Sequence, residues 1–245
     1  MILLFIIFII LLFTIYDEQF LNITGNSINY YVIHISSNIE RKNNIIDMEK
    51  KINKKIKIFD AIMGTDLLMQ YSNNKNKINN INITKIMQYD NYINYNFNYK
   101  TINEVGCYLS HFVLIKSLLN THYQYTLIFE DDFYIVNDDF NEQLNNILDK
   151  IEVDFDLLFL GTTTNNCGLK YKDEIHYVDK NTCLHGTHAY VINNKNINKI
   201  YNYLLNFDSQ IDVKYQELIK HDKLIGFIVY PHIVDQDQFR TTIQN

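Results

Sequence analysis

The hydrophobic positions of this chain come in short apolar runs separated by polar, amide-rich stretches. The pattern predicts strands and helices in alternation. Residues 30–35 (YYVIHI) are β-branched and aromatic between polar flanks, and read as a first core strand. Ser36, Ser37 and Asn38 follow as capping residues for a helix beginning near Ile39. A second strand is predicted at 56–59, leading into Asp60. Strand, helix, strand in this order opens a parallel α/β sheet. Residues 65–100 have weak periodicity and many Asn and Tyr, and read as a surface excursion with a short helix at most. From Thr101 the pattern sharpens into a helix to about Leu119, capped by Thr101 or Asn103. Residues 125–129 (YTLIF) form the clearest central strand and run straight into Glu130, Asp131 and Asp132. A helix at 140–151, a strand at 155–160 stopped by Gly161, a strand at 189–192, a helix at 195–205 and a strand at 225–229 complete the pattern. No repeat and no Pro- or Gly-rich linker divides it, so residues 28–240 are expected to form one domain.

The first sixteen residues, MILLFIIFIILLFTIY, are uncharged and almost wholly apolar. The run is shorter than the ~20 residues of a spanning helix and lacks a basic flank. It would be hard to bury and costly to expose at the start of a soluble domain. Residues 1–20 are therefore expected to be a signal peptide or signal anchor, with membrane association through residues 1–16. The catalytic body would then face a secretory lumen; without a working leader it would sit in the cytoplasm or a viral factory. Sequons at Asn22 and Asn82 are compatible with the lumenal placement.

Charge narrows the function. With 22 basic and 28 acidic side chains the net charge is -6, and Lys50, Lys51, Lys54 and Lys55 make the one basic patch, too short for a nucleic-acid binder. Seven glycines and no GxGxxG exclude a dinucleotide fingerprint. The three cysteines, Cys107, Cys167 and Cys183, make no disulfide framework and no CxxC zinc pair. Cys167 and Cys183 are available for one bridge in an oxidising compartment; the alternative is three reduced thiols.

Candidate chemistry concentrates at three places. Glu130, Asp131 and Asp132 end the most apolar strand, where open α/β sheets bind ligands at their carboxyl edge. In strand geometry Glu130 and Asp132 point one way and Asp131 the other. One or two of these acids can hold a hard divalent ion whose other ligands are water and diphosphate oxygens. A solvated surface turn is the competing reading. On the helix from Glu104, Cys107 and His111 stand four apart on one face, but with no GxSxG elbow or evident triad nothing else supports acyl transfer. The segment 183–190 (CLHGTHAY) carries His185 and His188, without the spacing of a zinc motif, and Asp212 precedes a helix-like run that it either caps or leaves for a cleft.

Taken together, EVGCYLSH (104–111) and, some twenty residues later, LIFEDD (127–132) resemble glycosyltransferase family 25, which includes lipopolysaccharide-type sugar transferases and procollagen galactosyltransferases. YVIHISSNIERK with Arg41, FDAIMG (59–64), FLGT (159–162), GTHAYVIN (186–193), IDVKYQEL and YPHIVDQ (230–236) resemble further blocks, so the likeness covers about residues 30–236. Glu40-Arg41 departs from the family's usual Asp-Arg pair, and the short body leaves the acceptor open.

The resemblance implies an α/β, glycosyltransferase-A type nucleotide-binding sandwich with a mixed, mostly parallel central sheet. It also implies a nucleotide-activated sugar, often UDP-galactose, transferred with inversion to a bacterial surface glycan or a collagen hydroxylysine; some members occur in large DNA viruses, which would suit the Asn, Ile and Lys bias. On this reading Glu130 and Asp132 hold Mn2+ or another divalent cation. Arg41, Asp60, Ser110, His111 and Asp131 bind the UDP-sugar, and Asp212 and His188 are the candidate bases. Glucosyl or N-acetylhexosaminyl transfer, an inactive binding protein of the same fold, and a metal-dependent hydrolase are the alternatives.

Overall fold

The computed structural model describes residues 26–67, 77–78, 81–82, 99–163, 168–178, 184–206 and 209–236. The leader, Asn22, Cys167 and Cys183 lie outside them, as does most of the 65–100 excursion. Among the described residues no helix is long and apolar enough to cross a membrane.

The chain opens with β1 (Ile28–His34), α1 (Ile39–Ile52) and β2 (Lys57–Asp60). Asn38 caps α1 by accepting the Arg41 N–H at 3.1 Å, a contact worth about 1 kcal/mol. The helix ends at Asn53, whose left-handed φ of 48° lets its N–H reach the last carbonyls. Two-residue strands β3 (Lys77–Ile78) and β4 (Ile81–Asn82) pair with each other. Next come α2 (Tyr99–Ser117), β5 (Tyr125–Glu130), β6 (Phe133–Ile135), α3 (Phe140–Lys150) and β7 (Leu157–Gly161). A hairpin of β8 (Leu169–Lys172) and β9 (Ile175–Tyr177) precedes β10 (Ala189–Asn193), α4 (Ile197–Leu204), α5 (Ile211–Lys220), β11 (Gly226–Val229) and β12 (Val234–Gln236).

Eight strands form the central sheet in the order β2-β1-β5-β10-β7-β11-β9-β8. Three neighbouring pairs are parallel (β1 with β2, β1 with β5, β7 with β11) and four are antiparallel. The sheet is thus mixed, as expected, but its pairing is not mostly parallel. The reason is β10, which inserts against the direction of both β5 and β7, together with the β8–β9 hairpin at the far edge.

Alternation along the strands builds two cores, one on each face. Ile128, Phe159, Tyr190, Ile192 and Ile228 pack with α2, α4 and α5. Leu127, Phe129, Leu158, Val191 and Phe227 pack with α1 and α3 on the other side. Helices on both faces leave the ends of the strands free, and the parallel strands β2, β1 and β5 finish together: His34 is level with Asp60, and Ile33 with Glu130. Because β10 is antiparallel, its entry (Ala189, opposite Phe129) lies at the same edge. That edge carries the polar chemistry.

Two glycines hold the edge together. Gly161 is the last residue of β7 rather than the residue that stops it, and a Cβ there would overlap the Val234 carbonyl and the His188 ring. In α2, a Cβ on Gly106 would stand 2.5 Å from the Ile62 carbonyl oxygen and 2.8 Å from the Gly64 nitrogen. The loop after β2 therefore lies directly on α2, fixed further by the Ile62 N–H donating to Ser110 Oγ at 2.8 Å. Gly106→Ala is expected to destabilise the protein by about 1–3 kcal/mol, read as a fall in thermal unfolding midpoint; an unchanged midpoint would show that the loop gives way freely.

Candidate active site

At Glu130 the chain leaves the sheet, turns at Asp131 and Asp132, and continues as β6, which pairs not with β5 but with β12. The turn decides where the three acids go. Glu130 faces α2: its Oε1 accepts from Thr187 Oγ1 at 2.5 Å and lies 3.3 Å from His111 Nε2. Asp131 swings to α1 and is buried, accepting from Arg41, from His34 Nδ1 at 2.9 Å and from the Ile35 N–H at 3.1 Å. Asp132 is buried as well, 3.3 Å from Arg41 Nη2 and accepting from Gln236 Nε2 at 2.9 Å. The strand-based expectation that Glu130 and Asp132 share a side opposite Asp131 is therefore corrected. Asp131 and Asp132 share Arg41, because the strand geometry stops at Glu130.

All three acids line one cleft of about 570 Å³. Arg41, Ser110, His111 and Asp212 also line it, so the fold gathers seven of the nine residues singled out from the sequence. Asp212 stands in the first turn of α5, where its Oδ2 accepts the Gly186 N–H at 3.0 Å and its Oδ1 the Val213 N–H at 2.8 Å. It is not the cap of the helix, which is Gln210, but lies in the first turn and faces the cleft. Ser110 Oγ donates to the Gly106 carbonyl and receives the Ile62 N–H, so its hydroxyl serves the loop clamp.

Two residues are not brought in. Asp60 is exposed beside the cleft mouth and accepts from Ser36 Oγ at 2.8 Å. His188 is buried next to Gly161 and Val234 and does not line the cleft, while its carbonyl accepts the Glu130 N–H. Burial pushes its imidazole below the usual histidine range, against the pull of Glu130 and Asp235. Arg41 is itself buried under the acids. Its guanidinium faces Asp131 and Asp132 and also lines the cleft.

Electrostatically the cleft is short of positive charge. Burial, then the charge of Glu130, raises the Asp132 carboxyl to about 6, despite Arg41 and Gln236. Burial also opposes ionisation of Glu130, but the His111 contact and the Thr187 hydrogen bond outweigh it and hold that carboxyl below its usual value. Cys107, a free thiol on the cleft wall, is pushed well up by burial and then by Glu130, Asp212 and Asp132.

Sequence reasoning missed Thr187, His34 and Gln236. Thr187 and His34 carried a usable signal, a polar residue at the end of a strand on the ligand-binding edge. Gln236 ends the YPHIVDQ block, but its contact with Asp132 was not legible, since it arises through the pairing of two three-residue strands far apart in the chain.

Comparison of the sequence with family models finds glycosyltransferase family 25 (LPS biosynthesis protein) matching residues 27–215, well over half of the chain. The chain belongs to glycosyltransferase family 25. It is accordingly a glycosyltransferase, and the matched span holds β1 through the Asp212 turn, including every acid of the cleft. The match stops before β11 and β12, although β12 lends this glycosyltransferase Gln236 against Asp132. No curated protein matches the sequence.

Proposed function

We propose that residues 28–240 form a single glycosyltransferase-A type catalytic domain. It transfers a hexose, galactose in the first instance, from a UDP-sugar to a hydroxyl of a glycan or a hydroxylysine-type protein site. The carrying observation is Asp132 Oδ1, a buried carboxylate oxygen with no hydrogen-bond partner, next to a second carboxylate in the cleft. An unpartnered buried acceptor among acids fits a cation better than any neutral group. Glu130 and Asp132 would hold Mn2+ or another divalent ion, which when bound supplies positive charge to a departing nucleoside diphosphate.

The protein's own residues support this reading. Arg41 positions the acid turn from below. His111 and Thr187 aim Glu130. Asp212, on another wall of the cleft, retains lone pairs beyond its two backbone contacts and is placed to take the acceptor hydroxyl's proton. Direct attack by that hydroxyl from the side opposite the leaving group would invert the anomeric centre, the outcome the family resemblance implies. The placement of His188 away from the cleft favours Asp212 as the base.

The test is release of nucleoside diphosphate from a panel of nucleotide sugars, with manganese or with EDTA. Manganese-dependent release from one donor, stimulated by acceptor, supports the reading. Equal release with EDTA would remove the cation from it, and release unaffected by acceptor would indicate a hydrolase.

A pH dependence follows from Asp132. Without a cation the folded chain keeps a proton there up to about pH 6, whereas the unfolded carboxyl has lost it near 3.8. This group's contribution to stability therefore falls as pH rises between those values. A cation requires the ionised carboxylate, so manganese affinity is expected to weaken by up to about tenfold per pH unit below about 6. Manganese titrations followed by thermal shift near pH 5 and near pH 7.5 check this; equal affinities would mean that Asp132 is no ligand.

A further inference from the structure

We propose that Cys107, His111 and Glu130 form a binding site for a thiophilic divalent cation of the zinc class, distinct in chemistry from the hard-cation pair Glu130 and Asp132. One ligand atom from each of the three residues lies within 4.8 Å of the other two. Residues 107 and 111 are one helical turn apart on α2, and Glu130 reaches them from the end of β5.

The histidine is built as a ligand. His111 is wholly buried, and its Nδ1 lies 2.8 Å from the Tyr190 hydroxyl, which also receives the Tyr215 hydroxyl at 3.4 Å. The Tyr190 hydroxyl occupies Nδ1 and leaves Nε2 as the ring nitrogen beside Glu130. A cation there selects the tautomer with Nδ1–H donating to Tyr190 and the lone pair on Nε2, replacing the contact that Nε2 otherwise makes with Glu130. Nε2 has no aligned hydrogen bond, only the 3.3 Å approach to Glu130 Oε1. Glu130 is held in place by Thr187 Oγ1. Thiolate, imidazole and carboxylate make a ligand set suited to zinc, with three protein groups and an open fourth position. Cys107 and Glu130 both line the cleft, so that position faces it. Binding converts the Cys107 thiol to a thiolate, and its proton leaves to solvent. The hard pair takes no sulfur ligand, so the two sites sort cations by softness while sharing Glu130.

The site does not depend on the sugar-transfer reading, and its test reads no turnover. Chelator-treated full-length protein is titrated with Co2+ as a spectroscopic stand-in for zinc. The expected result is a thiolate-to-cobalt charge-transfer absorption saturating at one equivalent, bleached by zinc and missing from Cys107→Ser. No such band in the wild type, or an equal band in Cys107→Ser, overturns the proposal. Should Cys107→Ser fail to fold, alkylation of the wild type mapped to the Cys107 peptide decides instead. Stoichiometric zinc, unlike magnesium, should slow it at least about tenfold, and an unchanged rate overturns the site.

Discussion

Asp132→Asn is expected to lower kcat/KM for manganese-dependent sugar transfer by about 10³-fold or more, because a cation's stabilisation of the leaving group amounts to several kcal/mol. The same change should leave thermal stability equal or higher. Asp132 is buried, carries an unpartnered oxygen, and sits beside Glu130, whose charge helps to raise its carboxyl to about 6. Removing that charge relieves the folded protein at neutral pH by up to about 1–2 kcal/mol. Gln236 can still bond the amide after turning its own, and Arg41 retains Asp131. Activity and stability moving apart is the signature of a group kept for function. Steady-state kinetics over a manganese series, with melting curves beside them, read both halves. Full activity at saturating manganese would remove Asp132 from the donor site. Lost activity with a collapsed midpoint would make the residue structural.

What the sequence disclosed about this region depended on how local the cause was. The β5 run is apolar on both faces because it lies between β1 and β10 under two helical layers. The α1 cap at Asn38 and the parallel β1–β2 unit were equally local. The start of α2 was not: the helix begins at Tyr99, ahead of the expected caps Thr101 and Asn103, where the apolar period had not yet set in. Sheet order was illegible too, since the reversal of β10 that makes its pairs with β5 and β7 antiparallel leaves no mark in a five-residue apolar strand. In the site, the acids were evident as a cluster but not in their directions, which follow from a turn closed by β6 and β12. His188 looked like a cleft residue because it borders Gly186 and Thr187, which do line it; one residue further along, the ring is turned toward Gly161. Arg41 drew attention for its donors, yet those donors were matched to Asp131 and Asp132 ninety residues away.

That pairing carries the second large expected effect. Arg41→Ala should destabilise the protein by about 3–5 kcal/mol, the cost of leaving buried charge uncompensated. For a chain of this size that corresponds to a fall in melting temperature of roughly 10 °C. Arg41 is 4% exposed and contacts both Asp131 and Asp132, themselves 4% and 6% exposed. Without it Asp131 keeps His34 and the Ile35 N–H, and Asp132 keeps Gln236, but among the described residues none of these partners carries a guanidinium's permanent charge. Arg41→Lys should recover only part of the loss, because a single ammonium cannot present the two separate guanidinium nitrogens now used. A double-mutant cycle with Asp131→Ala isolates the pair and should return a coupling of about 1–3 kcal/mol. Manganese should restore some stability to Arg41→Ala, since a cation at Glu130 and Asp132 replaces part of the missing charge, and should restore none once Asp132 is also Asn. Near-zero coupling would mean that hydration or proton uptake by the acids already compensates, and Arg41 would then hold the turn by packing alone.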